Sequence, residues 1–471
     1  MDFSACNLFI DGAKVAGLGD AFDVINPATE QPLASGNTAS VEQLNQAVDA
    51  ARRAFQTWRQ TTDADRTTLL HKIADAIEAN ADELARIVVQ EQGKPLFLAQ
   101  GEVGGAVAWT RYNADLAIPV KVIEDSEHKR IEAQRKPLGV VASITPWNWP
   151  LMIAIWHIIP ALRSGNTVVC KPSGLTPLST LRLIELINDV LPAGVVNMVT
   201  GEREIGEAIS LHPGIDKVIF TGSTPTGQNI MANAASNLKR LTLELGGNDA
   251  AIVLPGTDVD AVAEGIFQTS FLNMGQTCAA LKRLYVHESL HDALCERLAS
   301  LAKEQVLDNG LNEGVTFGPV QNARQLQVVS ELVEDAKAQG ARILSGGEPL
   351  QREGYFYPPT IVTEVSNGVR LVDEEQFGPA LPVIRYRDLD DAVQMANDCS
   401  YGLGGSVWGP DPAAAEAVAR RLECGTVWIN GHAEVLPHAP FGGCKLSGLG
   451  VEFGVEGLLE YTQLQIINSN R

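Results

Sequence analysis

One cysteine stands out as a candidate nucleophile. Cys278 lies in FLNMGQTCAALKR, residues 271–283, where Gly275 and short polar neighbours leave its sulfur little cover. A partly accessible thiol close to amide donors or a base can attack a carbonyl carbon. The chain has seven cysteines, an odd number at wide spacing and without a C-x-x-C pair, so a disulfide framework or a zinc site is poorly supported and we expect no metal. Burial as a small apolar residue remains the alternative for Cys278.

Two further polar side chains could assist such a nucleophile, and each has a plain structural alternative. Glu244, in LELGGND, is either on the exposed face of an edge strand or in a pocket. In a pocket, desolvation would raise its pKa towards that of a base active at neutral pH. Asn148, between the tryptophans of TPWNWP, is either an amide donor for a developing oxyanion or a turn residue that satisfies local backbone.

Several polar residues could hold a nucleotide. Lys171 and Ser173, in KPSGLTP, could bind phosphate or ribose oxygens, although a solvated lysine at a strand end is the commoner case. FTGSTPTG, residues 220–227, leads from a strand through a glycine turn into a helix, whose N-terminal N–H groups bind anions. In EEQFGP, Glu375 could hold a ribose hydroxyl and Phe377 could support a flat ring. The chain contains neither G-x-G-x-x-G nor G-x-x-x-x-G-K-[ST].

The elements around these motifs alternate between strands and helices. From residue 138, short β-branched runs alternate with helical patterns at 151–163, 177–191, 204–211 and 225–237. A second alternating series has helical patterns near 259–273, 289–305, 322–339, 388–398 and 412–423. Such alternation predicts an α/β protein with a doubly wound parallel-sheet domain and a second α/β domain, divided in the LGGND stretch at 245–249.

The residues before this alternation are helical in pattern. We expect a first helix capped by Ser40, a second that ends at Gly93 and a third over 97–116. Residues 137–162 carry no Asp, Glu, Lys or Arg, but three prolines favour a buried strand, a loop and a buried helix over a membrane span.

Composition bounds the partners. The net charge of −21 repels phosphate backbones, so nucleic acid is not an expected partner. MDFSACNLFIDG lacks the basic and apolar regions of a signal peptide, and a cytoplasmic protein without a membrane partner is expected.

The order of the motifs resembles that of a known family. PWN, KPS, FTGST, LELGG, GQTC and EEQFGP are followed by PFGGCKLSG at 440–448. In this order the chain is similar to the aldehyde dehydrogenase superfamily over essentially its full length. The resemblance implies that Cys278 is the nucleophile, Glu244 the general base and Asn148 the oxyanion donor. An aldehyde would be oxidised through a thiohemiacetal and a thioester, and water would release the acid.

The resemblance also implies NAD or NADP as cofactor. The residues that would contact it are Thr145, Trp147, Lys171, Ser173, Gly206, Gly222, Ser223, Leu245, Gln325, Glu375 and Phe377. One position departs from the family pattern: Gly174 stands where members that prefer NAD commonly have an acidic residue. A carboxylate there would accept from the ribose 2′-hydroxyl and repel a 2′-phosphate. Its absence predicts use of both cofactors, with NADP well tolerated.

The resemblance places an apolar or aromatic aldehyde near one group of residues. These are Trp149, Ile153, Trp156, Leu272 and the loop 432–441. His432, Glu434 and His438 could instead recognise a polar tail, but we favour a solvated loop for these three. A CoA-acylating enzyme and a non-catalytic protein of the same fold are the alternative functions.

The resemblance finally suggests how the chain is divided. Residues 1–118 and 138–245 would form the dinucleotide-binding domain and 246–445 the catalytic domain. Residues 119–137 and 459–471 would form a small β element that joins subunits into a homodimer or homotetramer.

Overall fold

The computed structural model describes residues 6–471. The strands are β1 (Leu8–Ile10), β2 (Ala13–Val15), β3 (Ala21–Asn26), β4 (Gln31–Asn37), β5 (Lys121–Asp125), β6 (Lys129–Pro137), β7 (Val140–Ile144), β8 (Thr167–Lys171), β9 (Val196–Met198), β10 (Lys217–Thr221), β11 (Arg240–Glu244), β12 (Asp249–Val253), β13 (Leu281–His287), β14 (Arg342–Ser345), β15 (Thr360–Thr363), β16 (Ala380–Tyr386), β17 (Tyr401–Gly402), β18 (Gly404–Trp408), β19 (Thr426–Ile429), β20 (Cys444–Lys445), β21 (Gly448–Leu449) and β22 (Thr462–Asn470). The helices are α1 (Val41–Trp58), α2 (Asp63–Ala79), α3 (Ala81–Gln92), α4 (Leu96–Asp115), α5 (Pro150–Arg163), α6 (Leu178–Asn188), α7 (Arg203–Leu211), α8 (Thr224–Ala234), α9 (Val259–Ser270), α10 (Glu288–Lys303), α11 (Ala323–Ala338), α12 (Arg370–Asp373), α13 (Leu389–Asn397), α14 (Pro412–Ala419) and α15 (Gly454–Leu459).

The first sheet holds the predicted dinucleotide cleft. Its order is β2-β1-β9-β8-β7-β10-β11-β21, and the pairs from β9 to β11 are parallel. Strands β7, β8 and β10 are buried throughout, because helices cover both faces of the sheet. The chain moves from β7 to one side for β8 and β9 and to the other side for β10 and β11. The crevice between β7 and β10 is therefore the topological switch point, where open α/β sheets bind ligands.

The second sheet begins directly after the first. Its order is β14-β15-β16-β13-β12-β18-β19, parallel except for the edge pair β14–β15. Only residues 245–248 separate β11 of the first sheet from β12 of the second. The nucleophile candidate precedes β13 in the middle of this second sheet, so the link 245–248 brings the two sheets together at the candidate site.

A three-stranded ribbon projects from these layers. Strand β22 pairs antiparallel with β6 from Thr462↔Pro137 to Asn470↔Lys129, and β5 covers the other edge of β6. The ribbon leaves a set of large apolar side chains in solvent: Val122, Ile123, Leu464, Ile466 and Ile467. Such a surface is a candidate for contact with another chain.

The structure confirms the α/β class with parallel-sheet domains, and it changes details. The single helix expected to end at Gly93 is two helices, α2 and α3, because Asn80 leaves helical geometry and its side chain donates to Ala76 O at 2.8 Å. Strand β21, from the PFGGCKLSG motif, returns to the edge of the first sheet beyond the predicted catalytic segment. The division into 1–118, 138–245, 246–445 and the ribbon stays a prediction, and its first five residues lie outside the described part.

Residues 137–162 form strand β7, a turn and helix α5, as the three prolines indicated. Within residues 6–471, no helix combines the length and apolar character that crossing a membrane requires.

Candidate active site

Cys278 lies in a backbone segment of unusual geometry. It follows a short 3-10 turn, in which Asn273, Met274 and Gly275 have φ values of 53°, 57° and 73°. Left-handed geometry costs free energy at a non-glycine residue such as Met274 and is concentrated at functional sites. A Cβ at Gly275 would overlap the carbonyl oxygen of Gly378, so a glycine is required there. The tight turn therefore fixes the position of the cysteine, which lies between this turn and the start of strand β13 at Leu281.

The surroundings of Cys278 keep its thiol protonated. Burial raises the pKa of Cys278 to about 12, and the carboxylates of Glu244, Asp249 and Glu375 raise it in the same direction. The N–H of Ala279 opposes this effect. A thiolate is the reactive form, so the resting thiol needs a proton acceptor close by.

Glu244 is a buried carboxylate whose charge acts on the Cys278 thiol. It ends strand β11 with 4% of its surface exposed, and its carboxylate oxygens have no hydrogen-bond partner among residues 6–471. Burial raises the pKa of Glu244 well above its ordinary value, and Glu452 raises it further. Of the two interpretations of Glu244, the structure favours the pocket over the exposed edge.

The loops that carry base and nucleophile touch each other. A Cβ at Gly247 would overlap the carbonyl oxygen of Cys278. Gly247 N donates to Glu375 Oε1 at 3.0 Å, and Ser447 Oγ donates to Gly246 O at 2.7 Å. These bonds hold the link between the two sheets against the cysteine.

Asn148 faces the same cysteine loop from the first sheet. Its Nδ2 donates to Gln276 O at 3.0 Å, across 128 residues of sequence. The backbone carbonyl oxygen of Asn148 accepts from Asn273 Nδ2 at 2.9 Å and from Lys94 Nζ at 2.9 Å. The amide therefore bonds to a distant loop, and the local-turn interpretation of Asn148 is wrong.

A buried ion pair behind Asn148 was missed at the level of sequence. Lys94 Nζ lies 2.6 Å from Glu102 Oε2, and both side chains are fully buried. Glu102 Oε1 also accepts from Leu151 N at 3.0 Å and Met152 N at 3.1 Å, in the first turn of α5. The pair thus connects the Asn148 turn to two helices. GKP marked a helix end, and no local pattern indicates that its lysine turns inwards.

Two more buried charged groups near the site were missed. Glu452 Oε1 lies 3.3 Å from His157 Nε2, and His157 Nδ1 lies 3.1 Å from Ser143 Oγ. The Lys282 side chain is buried, and this burial lowers its pKa to about 8, although Glu375 opposes the effect. The signal available in sequence was a charged residue inside an apolar run, which periodicity does not distinguish from a surface position.

The predicted cofactor residues separate into two groups. Seven of them line one cleft of about 670 Å³ at the switch point between β7 and β10: Thr145, Trp147, Lys171, Ser173, Gly206, Gly222 and Ser223. The N-terminus of helix α8 follows Ser223 at this cleft. A lysine, three hydroxyl side chains and a helix N-terminus suit a phosphorylated, ribose-bearing ligand, and the volume suits a nucleotide.

The other four predicted cofactor residues, Leu245, Gln325, Glu375 and Phe377, do not line this cleft. The Phe377 ring meets Trp147 edge-on at 5.4 Å between centroids. Glu375 Oε1 accepts a hydrogen bond from Gly247 N, and Gln325 Nε2 donates to Gln376 O at 2.8 Å. Leu245 packs below helix α8, where a Cβ at Gly227 would lie 2.5 Å from its Cδ2.

The predicted substrate residues have mixed positions. Trp156 is half-buried, with its ring 4.7 Å from Phe453, and packs against the same apolar cluster as Cys278. Trp149 Nε1 donates to Thr277 Oγ1 at 3.0 Å, and Leu272 is half-buried. Ile153 is 1% exposed and lies within helix α5, so its side chain is part of the protein interior.

We expected His432, Glu434 and His438 to be solvated, and this expectation is wrong for His432. His432 is buried, with Nδ1 2.9 Å from Ser406 Oγ and Nε2 3.5 Å from Asp249 Oδ2. Glu434 and His438 are exposed, as expected. His432 therefore anchors the loop 432–441.

Comparisons with known proteins agree with this geometry. The model of the aldehyde dehydrogenase family matches residues 15–467. Phenylacetaldehyde dehydrogenase of Pseudomonas fluorescens is 40% identical over 97% of this chain and 94% of its own length. The NAD⁺ complex of aldehyde dehydrogenase from Bacillus cereus superimposes with a TM-score of 0.97 at 37% identity, covering 99% of this chain and 97% of that one. An NADP-dependent enzyme from E. coli has the same TM-score at 36% identity, covering 100% and 99%.

Proposed function

The chain belongs to the aldehyde dehydrogenase family and is an NAD(P)-dependent aldehyde dehydrogenase, and from this premise we propose that Cys278, Glu244 and Asn148 carry out the reaction. One observation carries the proposal: the buried Glu244 carboxylate has no hydrogen-bond partner among residues 6–471, and the link that follows it touches the backbone of Cys278 at Gly247. A buried carboxylate with a raised pKa can act as a general base near neutral pH.

The proposed reaction begins at sulfur. Glu244 accepts the thiol proton as Cys278 Sγ bonds to the aldehyde carbon, which gives a thiohemiacetal oxyanion. The Asn148 amide and a backbone N–H near Cys278 donate to that oxygen. The oxidised nicotinamide supplies the acceptor for the hydride that leaves this carbon, so that a thioester remains on Cys278. Glu244 passes the thiol proton to solvent and is again a carboxylate before deacylation. It then takes a proton from water, the water oxygen attacks the acyl carbon, and the carbon–sulfur bond breaks to release the acid and the thiolate of Cys278, which regains a proton from Glu244.

The two groups of cofactor residues would position the dinucleotide. Lys171 and Ser173 would hold the adenosine ribose, and the turn Gly222–Ser223 the pyrophosphate. Glu375 and Phe377 would hold the ribose and ring nearest to Cys278. The support for this assignment is that Trp147, which lines the cleft, meets Phe377 edge-on, and that Glu375 is close enough to Cys278 to raise the pKa of its thiol.

We propose an apolar or aromatic aldehyde as substrate. An aromatic group packs in the same apolar cluster as Cys278, where Trp156 lies 5.7 Å from Trp109 and 4.7 Å from Phe453 between ring centroids. Aromatic walls bind flat apolar groups with little loss of entropy. The relative from Pseudomonas fluorescens, named for phenylacetaldehyde, supports the same class.

The ribbon of β5, β6 and β22 would join subunits into a dimer or tetramer. The support is its exposed apolar face and its unpaired strand edge, which together favour sheet extension between chains.

The test is NAD(P)H formation from aliphatic, aromatic and amino aldehydes, with and without CoA. Cys278→Ala should abolish turnover, while Cys444→Ala, which removes an exposed thiol, should not. Glu244→Gln should lose steady-state turnover because deacylation lacks its base. Unchanged turnover in either active-site variant would refute the corresponding role. Release of an acyl-CoA in place of the acid would favour the CoA-acylating alternative.

A further inference from the structure

The lysine turn after β8 contacts a carboxylate from another element. Gly174, in KPSG, has no side chain, and a Cβ built on it would lie 2.5 Å from Oε1 of Glu202. Glu202 follows strand β9 and is the N-cap residue of helix α7. The Glu202 carboxylate thus occupies the space that a side chain at position 174 would fill.

Glu202 and Lys171 face the same corner of the cleft. Both residues line the 670 Å³ cavity beside Ser173. The carboxylate is close enough to oppose the effect of burial, which lowers the pKa of Lys171. The side chain of Glu202 is exposed, so its oxygens are free to accept from a ligand hydroxyl.

The charges at this corner decide between a ribose hydroxyl and a phosphate. A carboxylate in a dinucleotide cleft accepts from the 2′-hydroxyl of the adenosine ribose and repels a 2′-phosphate. Lys171 attracts phosphate, and Arg203 and Arg324 also line the cleft. Coulomb energies fall with distance and are screened by water. The charge nearest to the turn of residues 171–174 therefore has the greatest effect on whether a ribose hydroxyl or a phosphate binds there. The group in contact with Gly174 is the Glu202 carboxylate.

We propose that Glu202 makes this enzyme prefer NAD to NADP, in the role that an acidic residue at position 174 would otherwise have. The proposal rests on the proposed use of the cleft for the adenosine end of the cofactor. It replaces the tolerance of NADP that Gly174 alone predicted. Selectivity is supplied by the start of α7, and Gly174 is needed because any Cβ there would displace the carboxylate.

The test measures binding without turnover. Isothermal titration of the full-length enzyme with NAD and with NADP gives two Kd values and their ratio for each variant. We expect wild type to bind NAD at least about tenfold more tightly, a difference of about 1.4 kcal/mol. Glu202→Gln should bring the two Kd values within about threefold of each other. Glu204→Gln is the matched control, because it removes the same charge from the first turn of α7 but does not line the cleft.

A second variant tests the contact without changing charge. Gly174→Ala should also narrow the ratio, since its Cβ pushes the carboxylate away. Equal affinity of wild type for both cofactors, or an unchanged ratio in Glu202→Gln, would overturn the proposal. A Glu204→Gln variant with the same loss of selectivity would overturn it as well, because net charge would then be the cause. Failure of wild type to bind either cofactor would contradict the proposed function, so the two failures are distinguishable.

Discussion

The buried pair of Lys94 and Glu102 should be needed both for stability and for the reaction, although neither residue is proposed to touch the substrate. The perturbation is Lys94→Met, which keeps an unbranched side chain and removes the ammonium group. Lys94 Nζ is bonded to Glu102 Oε2 at 2.6 Å and to the carbonyl of Asn148 at 2.9 Å, and both members of the pair are 0% exposed. The variant therefore leaves a buried carboxylate without its cation and frees the turn that carries Asn148.

The expected cost follows from that burial. Removing one partner of a buried ion pair destabilises a protein by about 3–5 kcal/mol, because the remaining charge is desolvated and unpaired. The double variant with Glu102→Gln should cost less than the sum of the two single changes. In it no charge stays buried, and the Gln oxygen can still accept from Leu151 N and Met152 N. Movement of the oxyanion donor should lower kcat/KM, by up to about 10²–10³ if the Asn148 contact is lost.

The assay is urea unfolding followed by tryptophan fluorescence, together with steady-state kinetics of each variant. Lys14→Met is the control, since Lys14 pairs with Glu185 at 2.7 Å while 54% of its side chain is exposed. Such a pair contributes about 1 kcal/mol or less. A Lys94→Met variant no less stable than this control, or a strictly additive double variant, would refute the reasoning.

Two other changes test the site and the ribbon. Glu452→Gln removes a like charge that raises the pKa of Glu244; the pKa should fall, so the acid limb of the kcat–pH profile should move to lower pH. A limb that stays in place or moves upwards in a pH titration would contradict this. Ile466→Asp places a charge beside Leu464 on one face of the ribbon and should lower the mass measured by light scattering; Gln465→Asp, which adds the same charge by replacing a polar side chain of the same strand, is its control. An unchanged mass would exclude this face as the subunit contact.

The sequence predicted the fold because the relevant signals are local. Buried parallel strands are short β-branched runs, and helix ends carry caps such as Ser40, whose side chain accepts from Gln43 N. The prediction of one helix through Asn80 was wrong, because a single hydrogen bond from the Asn80 side chain to the preceding helical turn decides where α2 ends. The short strands β1 to β4 escaped notice, since three to seven residues give little periodicity.

The sequence located the candidate site less completely. Cys278, Glu244 and Asn148 sit in recognisable motifs, and the structure brings their loops together. Glu202 and Lys94 could not be found in that way, because their partners lie in other elements. Charge and burial at such positions are properties of the assembled fold, and a linear pattern records neither.

The contact between Gly247 and the carbonyl of Cys278 also limits how the enzyme could be engineered. The bonds from Glu375 and Ser447 hold the link in place, and the close approach of the two loops depends on the absence of a Cβ at Gly247. A side chain at position 247 would overlap the carbonyl oxygen of Cys278 and would displace the link that follows Glu244. Substitutions in this stretch would therefore shift Glu244 and Cys278 together, whereas substitutions around Trp156 would leave this contact unchanged.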